Sequence, residues 1–97
     1  MMFTMAMDAN IRIGSYNCTG MHGDHKINFV RRLIMENKLD VILLQETWLV
    51  SRGMHTLGLV HKDFVAHGVS GIPDDQLVIG RPHGGVAIFG TMHLIKW

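Results

Sequence analysis

A single cysteine, Cys18, leaves this chain without a partner for an internal disulfide. There is also no CxxC pair and no Cys/His spacing of the kind that holds zinc. Both absences fit a reducing compartment. No apolar run approaches the roughly 18 residues a membrane-spanning helix needs, and the opening MMFTMAMDAN lacks the basic start and unbroken apolar centre of a secretory signal. The expected location is therefore intracellular, nucleus or cytoplasm, with no membrane as a partner. Nine basic residues against eight acidic ones, a net charge of +1, argue against a strongly cationic nucleic-acid-binding surface, although locally focused phosphate contacts remain open. Repeats and low-complexity segments are absent. No Asp or Glu occurs after Asp75, an absence that matters below.

The residues present describe one small globular domain: 97 residues, 47% apolar and 18% charged. Residues 1–10, with Met1, Met2, Met5 and Met7, read as a disordered leader that leaves the natural start open. The domain is then expected over 11–97. Residues 11–18 (IRIGSYNC) alternate as a strand, with Ile11, Ile13, Ser15 and Asn17 on one face, which is taken to face the core. Two glycines mark a loop over 19–24. Asp24 is placed to cap a helix over 24–38 whose apolar stripe is Ile27, Val30, Leu33 and Ile34. Val41, Ile42, Leu43 and Leu44 then open a second strand over 41–46, apolar enough to be buried on both faces.

This β-α-β order predicts a parallel pair with a right-handed crossover. Both strands then end at the same carboxyl-terminal edge, where open α/β sheets place their sites, and that edge receives Asn17 and Glu46. A carboxylate directly after a buried strand needs a partner, since burying it unpaired is costly. Further along, 49–63 reads as a short helix or an irregular loop. Strands are expected over 64–69, 77–79, 86–89 and 92–97, separated by turns at 70–76 (SGIPDDQ) and 80–85 (GRPHGG).

Three segments carry a family likeness: IRIGSYNCTGM at 11–21, VILLQETWL at 41–49 and GVSGIPDDQLVIGRPHGGVAIFG at 68–90. In this order they resemble the first half of an endonuclease/exonuclease/phosphatase domain. The last segment is most similar to the endonuclease domain of non-LTR (LINE-type) retrotransposon reverse transcriptase polyproteins. The resemblance implies an α/β fold, a partial four-layer α/β/β/α sandwich of the DNase I-like type, of which this chain would supply roughly one sheet and its flanking helix. It implies that Glu46 binds a catalytic Mg²⁺, or Mn²⁺ in its place, with Asn17 beside it in the catalytic cluster as the second residue of the metal site. The substrate it implies is the phosphodiester bond of DNA. Mg²⁺ agrees with such a site, because it takes hard oxygen ligands and often only one or two protein carboxylates.

Other residues are weighed against simpler roles. Arg81 is the candidate phosphate contact, although a lone Arg in a turn is usually just exposed. GRPHGG lacks the GK[ST] ending of a P-loop, and His83 stands where the retrotransposon branch commonly has an aromatic ring. His22, Asp24 and His25 lack a fourth partner for zinc, and Asp74 and Asp75 suit a solvated turn. Cys18 points away from Asn17 and reads as a small buried hydrophobe. Trp48 reads as packing under its loop, with base stacking the functional alternative.

Family members also carry an Asp-x-Asn segment and a late Asp-His pair. With no acid after Asp75, this chain has neither. The expectation is therefore an N-terminal portion of the domain, inactive as it stands, with DNA its partner only when the domain is complete. A phosphatase of lipids or small molecules is the enzymatic alternative. A non-catalytic binding or assembly module is the alternative of another class.

Overall fold

The computed structural model describes residues 2–8, 11–21, 23–72 and 84–91. In chain order these form β1 (Met2–Asp8), β2 (Ile11–Asn17), α1 (Asp24–Glu36), β3 (Val41–Gln45), a 3-10 helix (Ser51–Leu59), β4 (Phe64–Val69) and β5 (Val86–Thr91). The strands build a single five-stranded mixed sheet in the order β1-β2-β3-β5-β4, a small α/β domain. Among the described residues no helix is long and apolar enough to cross a membrane.

The β-α-β unit has the expected parallel pair. β2 and β3 run in register from Ile13 opposite Val41 to Asn17 opposite Gln45, whereas β5 joins β3, and β4 joins β5, antiparallel. The ambiguous stretch after β3 is the 3-10 helix. The strands expected over 77–79 and 92–97 fall outside the described residues, as do His22, Asp74, Asp75, Arg81 and His83.

Both ends of α1 correct the sequence reading. The N-cap is Gly23, at φ 82 and with no side-chain cap bond, so Asp24 sits in the first turn instead. There its charge acts on the helix dipole rather than on a free N–H. The helix stops at Glu36, two residues early. Lys38 takes φ 52, the Leu39 N–H donates to Ile34 O at 2.9 Å and the Lys38 N–H to Met35 O at 3.3 Å. These are the two bonds of a Schellman stop, with lysine where glycine is usual. Arg31 ties the helix to the end of the 3-10 segment, donating from Nε to Val60 O (2.6 Å) and from Nη2 to Leu59 O (2.7 Å).

The expected disordered leader is also corrected. Met2–Asp8 pairs antiparallel with β2, from Met2 opposite Tyr16 to Asp8 opposite Ile11. The physical reason lies in β2, whose outer edge would otherwise expose a row of unpaired N–H and C=O groups. The segment that covers it carries no charge before Asp8, so pairing there desolvates little that is ionic.

The core lies on one side of the sheet. Val30, Ile34 and Ile27 of α1 pack with Ile42, Leu44, Ala87, Phe89 and Cys18 in a single buried cluster, and Leu57 and Val60 join it from the 3-10 end. The row of Ile11, Ile13 and Ser15, expected to face the core, lies on the opposite side, half-buried, with Asn17 exposed at its end. It continues across the register through Leu43, Gln45, Val86, Ile88, His67 and Val69. Leu43, Val86 and Val69 are 38%, 53% and 55% exposed, and a shallow hollow of about 280 Å³ lies over them. Alternation identified the row, but both faces of this sheet are apolar, so alternation alone could not say which one the helix covers.

Candidate functional site at the carboxyl edge of the parallel strands

Register places the last residue of β2, Asn17, opposite the last residue of β3, Gln45. Glu46 is the next residue, so Asn17 and Glu46 do emerge at one edge. The chain then makes an unusual turn. Glu46 and Trp48 both adopt the left-handed region, at φ 54 and 56, which costs a non-glycine residue about 1–2 kcal/mol. Such strain persists only where the surroundings over-determine it, and it gathers at functional sites.

Here the surroundings grip from both sides. On one side the N–H groups of Cys18, Gly20 and Met21 donate to the carbonyls of Gln45, Glu46 and Thr47, each at 2.8 Å. On the other, the Thr47 and Trp48 N–H groups donate to Gly85 O (3.3 Å) and Gly84 O (2.9 Å). The glycines are needed for that approach. Gly84 and Gly85 take φ of +78 and +91, and a Cβ on Gly85 would lie 2.6 Å from the buried Thr47 Oγ1. Gly84 and Gly85 thus clamp residues 47–48.

The Glu46 side chain is half-buried, and two donors converge on its Oε2. Oε2 accepts from Trp48 Nε1–H at 2.8 Å and from the Gly84 N–H at 3.2 Å. The Trp48 contact was not read from the sequence. Residues two apart on a strand share a face but stand roughly 7 Å apart, and the left-handed turn at Glu46 and Trp48 draws the two side chains into hydrogen-bond contact. Asn17 is exposed, and its Oδ1 accepts from the Thr19 N–H at 3.1 Å, a local turn of the kind Asn makes at strand ends. Beside them Gln45 Nε2 donates to Ser15 Oγ at 3.0 Å on the open face.

The candidate donors are all oxygens: one carboxylate and one carboxamide. Among the described residues no group of three or more His, Cys, Asp or Glu side chains is placed to hold a metal ion. Asp24 and His25 are exposed, as the surface reading of that pair requires. Glu46 and Asn17 thus offer hard oxygen donors, the ligand type that divalent ions such as Mg²⁺ take together with water and phosphate.

Cys18 is fully buried behind the edge. Burial pushes its thiol up from 9.0 to about 11, and the positive charge of Lys26 only partly opposes this. The raised value belongs to the folded state, so the thiol's stabilising contribution is fully present below the unfolded value and is lost as pH rises through about 11. Two results are expected: no labelling of native Cys18 by a thiol reagent at pH 7.5 until denaturant is added, and a falling urea midpoint between about pH 9 and 11. Rapid labelling of the native chain would show an accessible thiolate instead.

No protein-family model matches the chain, and no curated protein matches it.

Proposed function

We propose that this chain is the N-terminal portion of a Mg²⁺-dependent endonuclease of retrotransposon type, with Glu46 its metal ligand and a DNA phosphodiester its substrate when the domain is complete. The observation that carries the reading is the Glu46 carboxylate. It stands directly after a parallel strand that is buried on one face only, Ile42 and Leu44 inward and Leu43 outward. It lies on a strained and doubly gripped turn, at the edge it shares with Asn17. The three ordered motifs of the sequence support the same assignment. In this reading the open sheet face is where the second sheet of a four-layer, DNase I-like sandwich packs.

Each residue has a limited part. Glu46 supplies the anionic oxygen ligand; Mn²⁺ would serve in place of Mg²⁺. Bound there, the ion would neutralise charge on the phosphoryl oxygens and the leaving group. Asn17 supplies a neutral amide beside the ligand, able to hydrogen-bond within the cluster once its Oδ1 exchanges the Thr19 N–H for another partner. Arg81 is the proposed phosphate contact. Nothing in the chain replaces the Asp-x-Asn and Asp-His groups, since no acid follows Asp75. A site with one ligand and no base to activate water is incomplete, so the chain alone is proposed to bind metal without turning over substrate.

That incompleteness also favours a second reading, a non-catalytic binding module. A phosphatase of the same superfamily is the weaker enzymatic alternative, because residues 70–85 follow the retrotransposon pattern. Two measurements separate these. Titration with Mn²⁺ is expected to give weak binding, on the order of millimolar as for sites with few charged ligands, weakened at least tenfold by Glu46→Gln. Supercoiled plasmid incubated with the chain in Mg²⁺ is expected to remain intact. Nicking that Glu46→Ala abolishes would overturn the inactive reading, and Mn²⁺ binding indifferent to Glu46→Gln would overturn the metal site.

A further inference from the structure

We propose that Trp48 is a positioning residue for Glu46, fixing the plane of its carboxylate through the indole N–H so that the metal-facing geometry is set before any ion arrives. This rests on the reading of Glu46 as a metal ligand.

Three contacts close a small ring. Trp48 Nε1–H donates to Glu46 Oε2 at 2.8 Å, the Gly84 N–H donates to the same oxygen at 3.2 Å, and the Trp48 N–H donates to Gly84 O at 2.9 Å. The carboxylate torsion of a glutamate is broad and roughly two-fold when free. Two donors converging on one oxygen remove that freedom. Mg²⁺ demands near-ideal octahedral geometry, so a ligand held in orientation gains more for this ion than for a tolerant one. Groups that hydrogen-bond to metal ligands orient them in this way, and their loss commonly costs 10–100-fold in metal affinity.

The chemistry of the partner matters as well. Indole is a donor only and carries no charge. An Arg or Lys in its place would put a positive charge on Glu46, whereas the Trp48 indole orients the carboxylate without adding charge of its own. The backbone underlines the point. Trp48, among the bulkiest residues, sits at φ 56, a conformation that smaller Asn or Gly would adopt with less strain. The strained turn is what brings its ring N–H round to Glu46.

The test uses the full chain and Mn²⁺ alone, with free Mn²⁺ followed by electron paramagnetic resonance. Glu46→Gln, Trp48→Phe and the parent chain are compared, and thermal unfolding is recorded for each. Trp48→Phe, which keeps an aromatic ring and removes the donor, is expected to weaken Mn²⁺ binding about tenfold while still unfolding cooperatively. A second measurement covers the case in which that variant fails to fold. The chain has two tryptophans, Trp48 and Trp97, so Trp97→Phe leaves one indole N–H signal in a ¹H–¹⁵N spectrum. That signal is expected to shift on Glu46→Gln and to broaden with substoichiometric Mn²⁺. If Glu46→Gln lowers Mn²⁺ affinity but a folded Trp48→Phe does not, the positioning role is overturned and the metal site stands. An indole signal that neither shifts nor broadens overturns it too. Mn²⁺ binding indifferent to Glu46→Gln removes the underlying reading, and this inference with it.

Discussion

Replacing Phe89 by alanine is expected to cost about 3–5 kcal/mol, the range for truncating a large buried aromatic. Phe89 is 1% exposed and heads the fully buried side chains. It stands on β5 opposite Ile42 on one neighbouring strand and Ala66 on the other, inside the cluster that α1 closes. The loss is severe because, among the described residues, the core lies on one side of the sheet. A domain of this size is stable by roughly 5–15 kcal/mol at best, and with an apolar sheet face in water this chain belongs at the low end. Urea unfolding followed by circular dichroism checks this. The expected result is a midpoint lowered so far that the variant is substantially unfolded in buffer. A shift of less than about 1 kcal/mol, the scale of a surface substitution, would mean that Phe89 does not hold the sheet to the helix.

The open face should dominate behaviour in solution. Leu43, Val86 and Val69 stand out on it, with Ile88 between them, and the net charge of +1 provides little repulsion between molecules. The isolated chain is therefore expected to be poorly soluble or to need a partner, and to bind a hydrophobic dye while folded. Leu43→Lys combined with Val86→Lys should lower dye binding and raise the soluble fraction several-fold. The cost to stability should stay near 1 kcal/mol, because both side chains are already more than a third exposed. Sedimentation and dye fluorescence on the two chains make the comparison. A parent chain that is a soluble, cooperatively unfolding monomer without dye binding would sink this expectation.

These two predictions also mark how far the sequence could be read. The helix stripe of Ile27, Val30 and Ile34 was legible because period 3.6 is a local property. So was the strand over 41–46, since a short apolar run before a charge has few other readings. The parallel pairing followed from connection length. Other features were not legible, each for an identifiable reason. The N-terminal methionines carry little intrinsic strand preference, and β1 forms because β2 needs an edge partner. Lys38 in the left-handed region defies the preference for glycine, so the stop of α1 looked two residues later than it is. The face that the helix covers could not be chosen from alternation when both faces are apolar.

At the candidate site the same division holds. Sequence alone determined that a carboxylate, Glu46, and an amide, Asn17, leave two parallel strands at one edge, because strand direction and length are local matters joined by a single crossover. It also determined that no further acid follows Asp75. Only the tertiary structure decided how Glu46 is held. The indole N–H reaches Oε2 through the left-handed turn at Glu46 and Trp48. The grip of Gly84 and Gly85 on that turn, with the Gly84 N–H on Oε2, depends on segments nearly forty positions apart meeting at one edge. No spacing within a single segment encodes such a meeting; it arises because β5 pairs with β3 and delivers its preceding turn onto residues 46–48.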